Sequence, residues 1–145
     1  MIFMKYSVIY RSKAEPSFKL SDVKKMLYTA KMKNAEHNVT GCLLYYKNEF
    51  LQLIEGEEET IKRLYANILF DRRHYDIRTI LEQPSETTLW SDWAMAFYDM
   101  SNNRKGKVNH NRLLMDGYLN RINSTPVKSK VLDTLKEQSN LILDY

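Results

Sequence analysis

The chain has 145 residues, 43% of them hydrophobic and 28% charged, with a net charge of +4. That length suits one domain with a real core, and no apolar run approaches the roughly 20 residues that a bilayer span needs. A single cysteine, Cys42, excludes an internal disulfide.

"KYSVIYRS" (Lys5–Ser12) alternates and is rich in β-formers, which predicts a strand with Tyr6, Val8 and Tyr10 on one face. After a loop containing Pro16, the apolar residues Leu20, Val23, Leu27 and Ala30 recur at helical spacing, predicting a helix over 20–33 with Ser21 as its N-cap. "NAEHNVTG" reads as a turn region. "CLLYY" (Cys42–Tyr46) and "FLQLIEG" (Phe50–Gly56), joined by "KNE", read as a hairpin. Ile61, Leu64, Tyr65, Ile68 and Leu69 then mark a second helix, with Glu57–Glu59 at its positive end. "DIRTILEQ" (Asp76–Gln83) and "WAMAFYDM" (Trp93–Met100) are two further strands. In the tail, "RLLMDGYLNRI" and "VKSKVLDTLKEQSNLI" are helical and split by Pro126.

This order implies an α+β fold: a ferredoxin-like βαββαββ sheet with two helices on one face and C-terminal helices covering the other. In the split βαββαβ unit, strands one and three are central neighbours, so Tyr10 and Gln52 fall on adjacent strands. Gln52 is conspicuous. It sits between Phe50 and Ile54 on a strand that reads as buried on both faces, and a buried amide without partners costs about 1–3 kcal/mol.

The opening "MIFMKYSVIYRSK" lacks the basic lead and apolar core of a signal peptide, so the expected location is cytoplasmic. Cys42 lies in an apolar run and reads as a small core residue. The excess positive charge lies in residues 101–145, with 8 Lys/Arg against 4 Asp/Glu, and "NNRKGK" reads as a solvated loop. Neither a membrane nor a nucleic-acid partner is therefore expected. No GxGxxG, GxxxxGK[ST], CxxC or HExxH is present, and His37, His74 and His110 are too scattered for a metal site. The strand order is shared with RNA-recognition modules, but the third strand carries "EFLQLIEGE" in place of their aromatic signature. No acid, base or metal constellation is visible, so no enzyme is expected. What remains are polar residues placed where a core should be dry: Tyr10, Asn34 and Gln52.

"YSVIYRSKA", the segments "N-x-T-G", "F-x-Q-x-x-E-G" and "D-x-R-H", and "W-x-M" occur in order from about residue 3 to 98. Together they resemble the BLUF domain, a flavin-binding blue-light sensor. The resemblance implies a photosensor domain over 3–98, with residues 101–145 as a C-terminal helical extension. It implies a non-covalent flavin between the two helices, FAD or else FMN or riboflavin. Tyr10 and Gln52 match the family's photoactive pair. Met26, Lys33, Asn34, Ile68, Asp71, Arg73 and His74 match positions beside the cofactor. Trp93 and Met95 match the strand-five pair that relays the signal. By resemblance, Tyr10 gives an electron and a proton to the photo-excited flavin, Gln52 is left rotated or tautomerised, and absorption moves slightly to the red. Lys33, Asn67 and Ala94 depart from the residues common at their positions. A downstream protein partner and a homo-oligomer are expected. The alternative reading is a cofactor-free ferredoxin-like interaction module whose slot is filled by side chains.

Overall fold

The computed structural model describes residues 5–85, 96–99 and 130–143. The elements run β1 (Lys5–Ala14), α1 (Leu20–Glu36), β2 (Thr40–Tyr46), β3 (Glu49–Glu57), α2 (Glu58–Leu69), β4 (His74–Ser85), β5 (Ala96–Asp99) and α3 (Lys130–Leu143). They form one five-stranded sheet in the order β4-β1-β3-β2-β5. The first four strands pair antiparallel, and β5 runs parallel to β2. The ferredoxin-like α+β arrangement expected from the element order is the one observed.

Each face of the sheet follows from strand alternation. Tyr6, Val8 and Tyr10 of β1, Phe50 and Ile54 of β3, and Leu43 and Tyr45 of β2 join Val23 and Leu27 of α1 and Ile61 and Tyr65 of α2 in one cluster. Both helices therefore lie on the same face. The reverse face carries Ile9, Leu44, Leu51 and Leu53, all fully buried. There α3 packs across β1, β2, β3 and β4, burying Val131 and Leu135. Arg11 anchors it: Nη1 donates to Gln138 Oε1 at 3.4 Å, and Nη2 pairs with Glu49 at 3.3 Å.

Several boundaries differ from the expectation. The N-cap of α1 is Lys19, not Ser21; Asp22 one turn in accepts the Lys19 N–H at 3.0 Å. The carboxylate satisfies an end donor that the serine, already inside the helix, cannot reach. α1 also continues past residue 33 to Glu36, so Asn34 lies within its last turn and is buried. The hairpin turn is two residues, Lys47 and Asn48, both at positive φ (46° and 63°). That is the conformation whose twist suits a tight hairpin, and Tyr45 Oη donates to Asn48 Oδ1 at 2.9 Å to hold it. β4 is longer than expected and carries two bulges. The first tail helix, Val127, Trp93 and Met95 lie outside the described residues. Among the described residues no helix is long and apolar enough to cross a membrane.

Two motif residues have a structural explanation here. Glu55 is fully buried, and Ser7 Oγ donates to it at 3.3 Å while sharing a second hydrogen bond with Ser85 Oγ at 2.9 Å. Burial, with the Glu55 carboxylate adding to it, pushes the Cys42 thiol well up, so Cys42 is an inert core residue. Gly41 ends "N-x-T-G" at φ 156°, where a Cβ would lie 2.0 Å from the Leu53 carbonyl oxygen. Gly41→Ala is expected to force β2 off β3 and to lower the unfolding free energy by about 2–3 kcal/mol, read by urea denaturation. An unchanged midpoint would show that the hairpin absorbs the methyl group.

Candidate functional site

Between α1 and α2, above the centre of the sheet, lies a cavity of about 800 Å³. Its floor is the β1–β3 junction. Its walls are apolar: Met26 and Leu27 from α1, Leu64 and Ile68 from α2, with Phe18, Leu43, Phe50 and Ile54. Lys25, Thr29, Lys33, Asn67, Asp71 and Arg73 line it too and add charge and hydrogen-bonding groups. The volume lies within the range of small-molecule sites, and the pattern of apolar walls with a few converging polar groups is theirs as well.

Tyr10 and Gln52 meet at the floor because β1 and β3 are antiparallel neighbours in a register that sets these two directly opposite. Tyr10 Oη donates to Gln52 Oε1. In this arrangement the amide carbonyl is turned to Tyr10 and Nε2, the donor end, away from it. From Phe50 to Gly56 every residue is buried except Gln52, which is partly exposed. The strand is thus not sealed at this position as its sequence suggested. It opens at Gln52, and the opening is the cavity. Burial, with the nearby Tyr65 and Asp71 adding to it, raises the Tyr10 phenol far above its ordinary value, so its proton is firmly held.

Around this pair the site is tightly tied. Asn34, on the last turn of α1, is buried and lines the cavity, and its backbone carbonyl accepts the Val39 N–H at 2.8 Å. His74 begins β4 and spans two elements. Its Nε2 lies 2.7 Å from the Ile68 carbonyl, which can only accept, so Nε2 carries the proton; Nδ1 meets Ser12 Oγ at 2.8 Å. The His74 ring lies edge-on to Tyr10, with centroids 6.1 Å apart. Asp71 accepts from Arg73 through Nε, Nη2 and the backbone N–H. The hydrogen bond from Arg73 holds the Asp71 carboxyl below its usual range.

All nine residues singled out in the sequence as cofactor contacts line this one cavity: Tyr10, Met26, Lys33, Asn34, Gln52, Ile68, Asp71, Arg73 and His74. They come from β1, α1, β3, α2, the loop after α2 and the start of β4. Sequence reasoning missed Tyr65 and Thr79, which flank Tyr10. Tyr65 was counted only as part of an apolar stripe, and Thr79 reaches its place through a bulge that no local signal announces.

Comparison with known proteins places this geometry in a family. Residues 6–96 match the family model BLUF, described as sensors of blue light using FAD. The blue light- and temperature-regulated antirepressor BluF of Escherichia coli K12 is 32% identical over 94 residues, covering 65% of this chain and 23% of that protein. Two solved structures superpose over nearly the whole chain. Klebsiella pneumoniae BlrP1, solved with FMN and cyclic diGMP, has a TM-score of 0.74 at 27% identity, covering 97% of this chain and 35% of that one. BlsA in its ground state has a TM-score of 0.67 at 26% identity, covering 98% and 89%. This chain spans about a quarter or less of the length of the curated relatives it matches.

The buried phenols set a pH dependence. Tyr6 is pushed up to about 12, first by burial and then by donating to Glu82 Oε1 at 2.9 Å, and Tyr10 is raised further. The folded protein keeps these protons where the unfolded chain has released them, near pH 10. Their contribution is fully present below pH 10 and is lost as pH rises past it. The urea midpoint is expected to hold from pH 7 to about 9.5 and to fall above 10, less steeply in Tyr10→Phe. An equal fall in that variant would show that Tyr10 ionises as freely when folded as when unfolded.

Proposed function

This chain belongs to the BLUF family of blue-light sensors using FAD, and from that premise we propose that it is a blue-light receptor whose switch is the Tyr10–Gln52 hydrogen bond. The observation that carries this reading is the bond itself, made at the one partly exposed position between Phe50 and Gly56. The cavity suits a flat ring with a hydrogen-bonding edge and a polar tail. Met26 and Ile68 supply apolar surface from opposite helices, Gln52 and Asn34 supply amides for the ring edge, and Lys33, Asp71, Arg73 and His74 supply charge and donors for the remainder. When bound, the flavin supplies blue-light absorption and the oxidising power of its excited state.

The protein's part is to place one proton and one reversible amide. Tyr10 keeps its proton at Oη, aimed at Gln52 Oε1. Phe50 and Ile54, buried on the same face, flank the glutamine, and a flavin filling the cavity would keep water from competing for the end of the amide that faces it. The two ends are nearly alike in shape and opposite in hydrogen bonding. Turning the amide, or shifting its proton from nitrogen to oxygen, therefore exchanges donor for acceptor within the same space. Nothing covalent is made, so the dark arrangement returns. A change at Gln52 is felt along β3 and β2, and β5 lies on the far side of β2, placing the strand that follows Trp93 and Met95 two strands from the pair. The output in this reading passes to a protein partner or through a change of oligomer, in keeping with a sensor module and not an enzyme. E. coli BluF, by its name an antirepressor, illustrates such an output.

The test is an absorption spectrum before and after blue light. Purified protein is expected to carry flavin and to shift reversibly to the red. Protein that takes up no added FAD or FMN would overturn the reading in favour of a cofactor-free module. Tyr10→Phe and Gln52→Leu are expected to keep the flavin and lose the shift; a normal shift in either would remove that residue from the switch.

A further inference from the structure

Tyr10 has partners on both neighbouring strands. On β3 it faces Gln52. On β4 the register slips between Ile9 and Tyr10: Ile9 pairs with Leu81, but Tyr10 pairs with Thr79, so Ile80 is the extra residue of a bulge. The bulge reverses the alternation of β4 and turns Thr79 to the helix side, beside Tyr10. There its hydroxyl shares a hydrogen bond with Tyr65 Oη, which descends from α2. The two tyrosines thus interlock head to tail. Tyr10 rises from the sheet towards Gln52, and Tyr65 descends to the sheet at Thr79. Their ring centroids are 5.5 Å apart, tilted by 39°, and both side chains are buried, at 4% and 5% exposure. The edge of His74 closes another side of the Tyr10 ring.

We propose that Tyr65, tethered by Thr79, is a positioning residue for Tyr10. It holds the Tyr10 ring so that its O–H is delivered to Gln52 at the distance proton-coupled oxidation requires. The proposal rests on the photochemical reading above and deepens it. Moving a proton together with an electron is steeply sensitive to placement, and a displacement of about 1 Å in a reacting group can cost 10²-fold. Two packed rings without a tether retain freedom to slide; a phenol bonded to the sheet does not. The same bond keeps Tyr65 itself out of the chemistry. Its hydroxyl partner is Thr79, which does not line the cavity, whereas the partner of Tyr10 is Gln52, which does; a proton can pass from Tyr10 through the amide to the flavin, the electron acceptor, while Tyr65 has no such path and remains a phenol. Neither Tyr65 nor Thr79 lines the cavity, so neither is placed to bind the flavin.

The experiment compares full-length protein with Tyr65→Phe, Thr79→Val and the double variant, each loaded with FAD. Tyr65→Phe keeps the ring and Thr79→Val the shape; each removes only the tether. All three are expected to bind flavin as the parent does and to reach the same red-shifted spectrum. The yield of that state per absorbed photon is expected to fall about three- to tenfold, with a matching rise in flavin fluorescence lifetime. Because the two hydroxyls form one bond, the double variant should be no worse than either single one, and Thr79→Ser should restore the parent yield. Parent-like yield and lifetime in the tether variants would overturn the proposal, as would loss of flavin binding, which would make these residues part of the binding site. If the parent protein itself shows no light-induced shift, the photochemical reading has failed instead.

Discussion

The structure turns on one cross-strand pair. Tyr10 and Gln52 are 42 positions apart in the chain, and their meeting depends on β1 and β3 being neighbours in a single antiparallel register. A one-residue slip would send one of them to the other face of the sheet. Both helices, the bulge in β4 and the His74 crossbar are arranged around that point. The cavity exists because α1 and α2 are held apart above it while the flanking strands are sealed.

The sheet separates two environments. On the helix face the pair stands at the floor of an open site. On the reverse face the immediate chain neighbours of the pair, Arg11 and Leu51, face α3. Arg11 joins β1 both to β3, through Glu49, and to α3, through Gln138. The same two strands thus carry the Tyr10–Gln52 pair on one side and α3 on the other. The reverse face is otherwise dry, and its buried carboxylate, Glu55, is held by Ser7, which shares a hydrogen bond with Ser85. Its polar groups serve the fold, whereas those of the helix face serve the cavity.

Tyrosine chemistry is partitioned by partner. Tyr6 and Tyr10 face the helices, Tyr65 reaches from α2 to the sheet, and burial raises the phenol of each. What distinguishes them is where the hydroxyl ends. Tyr6 meets a carboxylate on β4, Tyr65 meets a hydroxyl, and Tyr10 meets an amide that can present either a donor or an acceptor. A hydroxyl such as Thr79 can also donate or accept, but only the amide of Gln52 both does so and lines the cavity.

The strand and helix order was legible in the residues themselves. Alternation and helical spacing are local, and a βαββαβ order leaves few topologies, so the adjacency of Tyr10 and Gln52 could be read before any coordinates. The residues that line the cavity were legible through motifs, since short segments such as "D-x-R-H" and "F-x-Q" carry their identity with them. Tertiary structure decided the rest. Asn34 lies inside α1 because the helix continues to Glu36 and is capped only at His37. Gln52 faces a cavity and not a sealed core because the packing distance of two helices, which no local pattern encodes, leaves space there. Thr79 stands beside Tyr10 because β4 bulges at Ile80, and the bulge is set by how β4 must bend to pair along all of β1. By itself the sequence determined which residues could perform the chemistry; long-range packing decided which of them touch, since contact depends on register and on the distance between layers.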